Sequence, residues 1–274
     1  MAGSLETEVE RYYSTSGLTA RILDALKTSG VDIGKLRIAD LAPVDELHVG
    51  GRPATEHAMS RLRLLAGQHV LDVGSGLGGA ARYVVEKFGC RVTGIDLTPD
   101  FVEAARTLTR MVGLSERVDF QAGSALAMPF ADGTFDAATT LHVAMNIQDR
   151  PGLYREVARV LKPGAPFLVY DVMKGEGDGP RFPVPWATSP ETSHLETPDA
   201  MRKLLEEAGF TIEEVEDRTA FGIEFFRQRL ASGSSAPPVG VLLFGPDMRQ
   251  RFLNLLEAME TGAVAPVVMV ARRK

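Results

Sequence analysis

The chain has 274 residues, 45% hydrophobic and 24% charged, with a formal net charge of −6. That balance suits one soluble α/β domain with additions, and without a basic tract it argues against nucleic acid as a partner. The single cysteine, Cys90, leaves no disulfide framework and no thiol metal cluster, so no metal is expected and Cys90 reads as a packed, inert thiol. No apolar run reaches about 18 residues, so no membrane span is expected. The acidic start, MAGSLETEVE, lacks the apolar region of a signal peptide, and the expected location is cytoplasmic.

Residues Met1 to Thr7 are expected to fray. Helical patterning starts near Val9, breaks at Tyr12 to Gly17, and resumes with Ile22, Leu23 and Leu26. This segment precedes the main fold and is a candidate lid. Leu41 to Gly51 reads as a loop closing on Gly50-Gly51, followed by a helix with Ala58, Leu62 and Leu65 on one face. His48, just before the glycine pair, serves either as a base or as a partner of Asp45 or Glu46.

The stretch from His69 to Asp96 organises the chain. A short apolar strand leads into glycines at Gly74, Gly76, Gly78 and Gly79, then a helical pattern ending at Gly89, then a second strand ending at Asp96. A parallel crossover of this kind brings a nucleoside to the carboxyl ends of the strands. Asp96 is placed to accept hydrogen bonds from two ribose hydroxyls. Asp72 precedes the first glycine by two residues. An acid in that bend repels the pyrophosphate that dinucleotide enzymes lay over a helix N-terminus. It suits a ligand with a cationic amino group and no phosphate, such as S-adenosylmethionine. A nucleoside-cofactor oxidoreductase and a non-catalytic S-adenosylmethionine-binding protein are the alternatives.

In the following helix Arg82, Glu86 and Lys87 read as a solvated face. Thr98-Pro99 starts a helix running to Met111. Arg117 to Gln121 is the third strand and Phe135 to Leu141 the fourth, with His142 to Asn146 leaving its carboxyl end toward the cleft. His142 is the leading candidate for a base, the alternative being a ring stacked on the cofactor. A helix from Gly152 to Leu161 precedes the fifth strand, Pro166 to Tyr170, with Asp171 at its tip to orient a histidine, accept a proton or bind a cationic substrate. Lys174 to Glu196 is long for a plain loop, and its apolar cluster around Trp186, the only tryptophan, reads as an acceptor-pocket wall. Pro198 to Ala208 is a helix capped by Thr197, and Phe210 to Arg218 the sixth strand. Thr219 to Thr261 adds a helix with Phe221, Phe225 and Phe226, an SGSSAPP link, and a second helix from Pro246. The last strand is Val264 to Ala271, followed by a solvated tail. The apolar run Val239 to Phe244 hints at a homodimer interface.

VLDVGSGLGG followed by VTGIDLT, then FQAGSALAMPFADGTFDAATTLHV and YREVARVLKPGAPFLVYDVM, resemble the class I S-adenosylmethionine-dependent methyltransferases over about Glu10 to Phe210. Within them the chain is most similar to enzymes acting on phosphoethanolamine, sarcosine or dimethylglycine, and natural products. The resemblance implies an α/β, Rossmann-like fold with a seven-stranded, mostly parallel sheet flanked by helices. It implies an N-terminal helical lid over residues 1–66, a core over 67–274, and cap segments at 174–196 and 219–261, the latter a helical insertion before the last strand.

It also implies S-adenosylmethionine as cofactor and a small-molecule acceptor. Tyr13 and Gly17 match a tyrosine and glycine that lie over the cofactor, and Gly50 and Gly51 match a segment touching its methionine end. Asp72, Gly74, Ser75, Gly76 and Gly78 form the glycine bend, Asp96 faces the ribose, and Leu97 packs on the adenine. Ser124, beside Ala125, stands where the family usually has an acid accepting from the adenine amino group. Leu141 and His142 touch the methionine portion. Asn146, Met173, Trp186, Phe221 and Phe225 are expected around the acceptor. Base candidates are His142, His48, Tyr13 and Asp171, in that order. Val172 and Met173 replace polar phosphate-binding residues, which argues against phosphoethanolamine.

Overall fold

The computed structural model describes residues 2–14, 17–231 and 247–274, with side chains from Glu6 onward except that of Tyr13. Seven strands form one sheet: β1 (His69–Val73), β2 (Arg91–Asp96), β3 (Val118–Ala122), β4 (Ala137–Leu141), β5 (Pro166–Lys174), β6 (Phe210–Asp217) and β7 (Val264–Arg273). They lie in the order β3-β2-β1-β4-β5-β7-β6, with β7 antiparallel to both its neighbours. This is the seven-stranded, mostly parallel sheet that the sequence implies.

Helices α5 (Gly79–Phe88) and α6 (Pro99–Met111) follow β1 and β2, and α7 (Arg150–Val160) and α8 (Pro198–Glu207) flank β5. Gly89 ends α5 in the left-handed conformation, with φ 68°, as a glycine C-cap does. Thr197 caps α8 by accepting from the Ala200 amide at 3.2 Å. Side-chain alternation along β5 divides the core. Leu168, Tyr170 and Val172 join a cluster with Val84 and Val85 of α5. Phe167, Val169 and Met173 join Leu153, Tyr154, Met201 and Leu205 from α7 and α8.

The N-terminal part contributes α1 (Ala2–Tyr13), α2 (Leu18–Thr28), α3 (Ile38–Asp45) and α4 (Gly51–Ser60). Helix α1 starts at Ala2, well before Val9. Helix α3 replaces the first part of the expected loop, because Ile38, Leu41 and Val44 share a buried face and Asp40 closes its start by accepting from the Arg37 amide at 3.0 Å. Leu65 lies beyond the end of α4 and is exposed. Two covering helices, α9 (Thr219–Ala231) and α10 (Met248–Glu260), pack on each other. The SGSSAPP link, the start at Pro246 and the run Val239 to Phe244 lie outside the described residues.

Three further expectations change. Arg82 is fully buried rather than solvated, and its Nη2 donates to Asp45 Oδ2 and to Leu77 O, both at 2.6 Å. Strand β5 continues past Tyr170 to Lys174, because β7 pairs with it through Asp171↔Val267 to Lys174↔Val264. Strand β7 likewise runs to Arg273, and Arg272 pairs with Glu213 rather than lying in a free tail.

Candidate active site

A cavity of about 540 Å³ opens over the carboxyl ends of β1, β2 and β4, within the usual size range of small-molecule sites. It brings together His48, Gly51, Asp72, Gly74, Ser75, Gly76, Asp96, Leu97, Ala125, Leu141, His142, Asn146, Trp186 and Phe225. These come from α4 and the segment before it, the β1–α5 bend, the ends of β2 and β4, and the covering segments.

The bend is shaped by glycines that other residues cannot replace cheaply. Gly74 has φ +70°, and a Cβ there would meet Val143 Cγ2 at 2.3 Å. Gly76 has φ +52° but open space on its side-chain side, so backbone faces the cavity there. Asp72 is buried, and neither its Oδ2 nor Ser75 Oγ has a hydrogen-bond partner within the protein. Burial, with the neighbouring Asp96 carboxylate adding to it against the pull of Arg82, raises Asp72 to about 7. An orphaned buried acid of this kind is expensive unless a cation meets it, and the ammonium of an amino-acid tail fits that need. Asp96 is held by the Gly76 amide at 2.7 Å and the Thr98 amide at 2.9 Å, which leaves its carboxylate with accepting capacity for ribose hydroxyls.

Two histidines face each other elsewhere on the wall. Their ring centroids are 5.8 Å apart, and the His142 ring stands edge-on to Tyr170 at 4.8 Å. His142 has φ +55°, an uncommon backbone state for a residue with a side chain. Its amide donates to Tyr170 O at 2.7 Å, while its Nε2 is buried and has no hydrogen-bond partner. His48 Nε2 lies 3.2 Å from Gly51 O and 3.0 Å from Thr55 Oγ1. A carbonyl oxygen only accepts, so Nε2 carries the proton and Nδ1 is the bare nitrogen. Thr55 in turn donates to Glu46 Oε2 at 2.5 Å, and Arg52 Nε sits 2.7 Å from Glu46 Oε1. Burial lowers His48 to about 4, and burial together with His48 holds His142 well below the ordinary histidine value. Both rings are therefore neutral at pH 7.

Other expected site residues lie off the wall. Asp171 is within β5, not at its tip. It faces away from Tyr170, accepting from the Met145 amide at 3.0 Å with Arg150 Nη1 4.0 Å away. It props the turn at 144–146 and does not line the cavity. Met173, two residues on, shares that face and sits in the core. Val172 is buried on the opposite face, and neither residue lines the cavity. Phe221 packs over Gly50, where a Cβ would meet its Cε1 at 2.3 Å. Gly78 starts α5 against Phe120 and Arg82. Ser124 Oγ donates to Glu6 Oε1 and accepts from the Leu126 amide. The Tyr13 side chain lies outside the described residues. Residues not expected from sequence also line the cavity, among them Glu6, Met145, Arg229, Phe252 and Leu255. The spacing of Phe252 and Leu255 on a helix marks one face; Glu6 carries no such signal.

A methyltransferase-domain family model matches residues 71–169. The methyltransferase GfsG of Streptomyces halstedii is 33% identical over 220 residues, spanning 79% of this chain and 77% of that protein. Phosphoethanolamine N-methyltransferase 1 of Arabidopsis thaliana is 32% identical over 220 residues, or 77% of this chain and 42% of the plant protein. Among solved structures, that of the cyclase SpnF superposes with a TM-score of 0.66 at 27% identity, covering 81% of this chain and 80% of that one. The family match, the acid-bearing glycine bend and the sheet order lead to one conclusion: the chain belongs to the class I S-adenosylmethionine-dependent small-molecule methyltransferases, and S-adenosylmethionine is its cofactor.

Proposed function

We propose that the chain transfers the methyl group to a small, largely apolar acceptor enclosed between the two histidines and the covering helices, with His142 or His48 removing the acceptor's proton. The observation that carries this reading is that one cavity is lined both by the paired imidazoles of His48 and His142 and by Asp72, a buried carboxylate with an unpartnered oxygen. Asp72 would hold the amino group of the cofactor, Asp96 the ribose, and Leu97 a face of the adenine. Bound S-adenosylmethionine supplies a methyl group on a sulfonium, already activated for displacement. The protein's part is to align the acceptor at about 3–3.5 Å, in line with the leaving sulfur, and to exclude water.

Trp186, Phe225, Phe252 and Leu255 give the acceptor part of the wall an apolar character. The cavity's two arginines are engaged: Arg52 pairs with Glu46, and Arg229 lies over the rings of Phe225 and Phe252. That arrangement favours an apolar acceptor over a phosphorylated one. A hydroxyl or an acidic carbon needs a base, and histidines kept neutral by burial are in the correct form to act as one. A shared fold does not by itself fix the reaction, as the cyclase relative illustrates; the two histidines are what favour transfer with proton abstraction here. Incubation with S-adenosylmethionine and a panel of apolar phenols, amines and β-dicarbonyl compounds should yield S-adenosylhomocysteine and methylated product. Product from phosphoethanolamine alone would overturn the apolar-acceptor reading.

A further inference from the structure

We infer that the N-terminal helix supplies part of the nucleoside site, with Glu6 accepting a hydrogen bond from the exocyclic amino group of the adenine. This rests on the cofactor placement proposed above.

The sheet order locates the base. Asp96 ends β2 and faces the ribose position, and β3 is the next strand outward, so the base lies toward the carboxyl end of β3. Gly123, Ala125, Leu126 and Leu97 line the cavity there. They give an apolar slot of backbone and aliphatic groups, in which a purine amino group needs an acceptor. The hydroxyl of Ser124, between Gly123 and Ala125, is already committed: it accepts from the Leu126 amide and donates to Glu6 Oε1. Ser124 itself does not line the cavity, whereas Glu6 does. The serine thus anchors a carboxylate brought in from α1, and among the described residues the second oxygen, Glu6 Oε2, makes no hydrogen bond or ion pair.

The same helix is fastened at its other end to the acceptor wall. Tyr12 Oη donates to Pro185 O at 3.1 Å and accepts from Arg251 Nη1 at 2.7 Å. Glu6 and Tyr12 are about 9 Å apart along the helix axis. One helix therefore joins the proposed base site to the wall segment that carries Pro185 and Trp186.

The test is calorimetric titration of the full chain with S-adenosylhomocysteine and with S-inosylhomocysteine, which has a carbonyl oxygen in place of the amino group. Wild type should bind the inosyl compound at least about tenfold more weakly, the scale of one hydrogen bond to a charged acceptor. Glu6→Ala should weaken S-adenosylhomocysteine by about tenfold and bring the two affinities to within about threefold of each other. Glu8→Ala, an exposed neighbour on the same helix, should leave both unchanged. Discrimination that survives in Glu6→Ala overturns the inference while leaving the cofactor site standing, and so does its absence in wild type. No binding of S-adenosylhomocysteine to wild type removes the site reading and this inference with it.

Discussion

The imidazole of His142 stands 5.8 Å from that of His48, centroid to centroid, with the two rings tilted by 57°. They reach this position from opposite ends of the chain's logic: His48 precedes the glycine pair that starts α4, and His142 follows the last residue of β4. The Glu46–Thr55 relay fixes His48 in one tautomer, while His142 is held by its amide on Tyr170 O and by its ring against that of Tyr170. A proton taken by either ring raises the cost of charging the other, so one base acts per turnover. His142→Ala should lower kcat by about 10²–10⁴-fold on an acceptor that must lose a proton, with S-adenosylhomocysteine affinity within about threefold of wild type. Full turnover in that variant, measured by product formation, would pass the role to His48.

The relay makes a separate prediction. Thr55→Val keeps the shape but removes the hydroxyl that links His48 to Glu46. Steady-state kinetics should show a kcat loss of about tenfold with little change in KM, on the scale of a buried hydrogen bond to a charged group. An unchanged kcat would make the relay structural only.

Asp72 gives a pH signature. Its carboxyl is raised to about 7 by burial and by Asp96, against Arg82, and only the ionised form attracts a cation. In the cofactor-free enzyme kcat/KM for S-adenosylmethionine should therefore fall as pH drops through about 7, while kcat at saturation stays level, because the bound ammonium keeps the acid ionised. Linkage fixes the sign for stability. The folded pKa lies above the unfolded value, so the folded state binds more protons in between, and the stability Asp72 contributes is complete below the unfolded value and lost as pH rises through about 7. Asp72→Asn should thus gain in Tm over wild type between pH 5 and pH 8, by at least about 2–4 °C, in ligand-free thermal scans.

Gly74 and Gly76 separate fold from function. Gly74→Ala must push Val143 aside and should lower stability by more than about 1–3 kcal/mol, the usual range for overpacking, as read by denaturant unfolding. Gly76→Ala meets nothing in the protein; it carries only the strain of positive φ, about 1–2 kcal/mol. Its stability loss should not exceed that strain, yet cofactor affinity should fall, because the added methyl occupies the space the ligand needs.

Much of this site was legible in the chain because it depends on local patterns. An apolar run, a glycine bend with an acid and a second strand ending in an acid suffice to place Asp72 and Asp96. The misreadings concern partners distant in sequence. Arg82 looks solvated on its helix because Asp45, which pairs with it, lies 37 residues earlier. Asp171 looks like a strand tip because the strand that extends β5 is the last in the chain. Ser124 gives no sign in the sequence of its hydrogen bond to Glu6, 118 residues away. Leu141 and Trp186 needed only the crevice rule and an apolar loop cluster to be placed on the wall, and Leu97 only the family resemblance.

The central claim is that a buried carboxylate in the glycine bend meets the ammonium of the cofactor. Calorimetry with S-adenosylhomocysteine on wild type and Asp72→Asn tests it most directly, since asparagine keeps the shape and removes the charge. Wild type should bind with measurable heat, and Asp72→Asn should bind at least about 30-fold more weakly, as expected when one member of a buried charge pair is neutralised. Equal affinity in the two proteins, or no heat in wild type, would contradict the account.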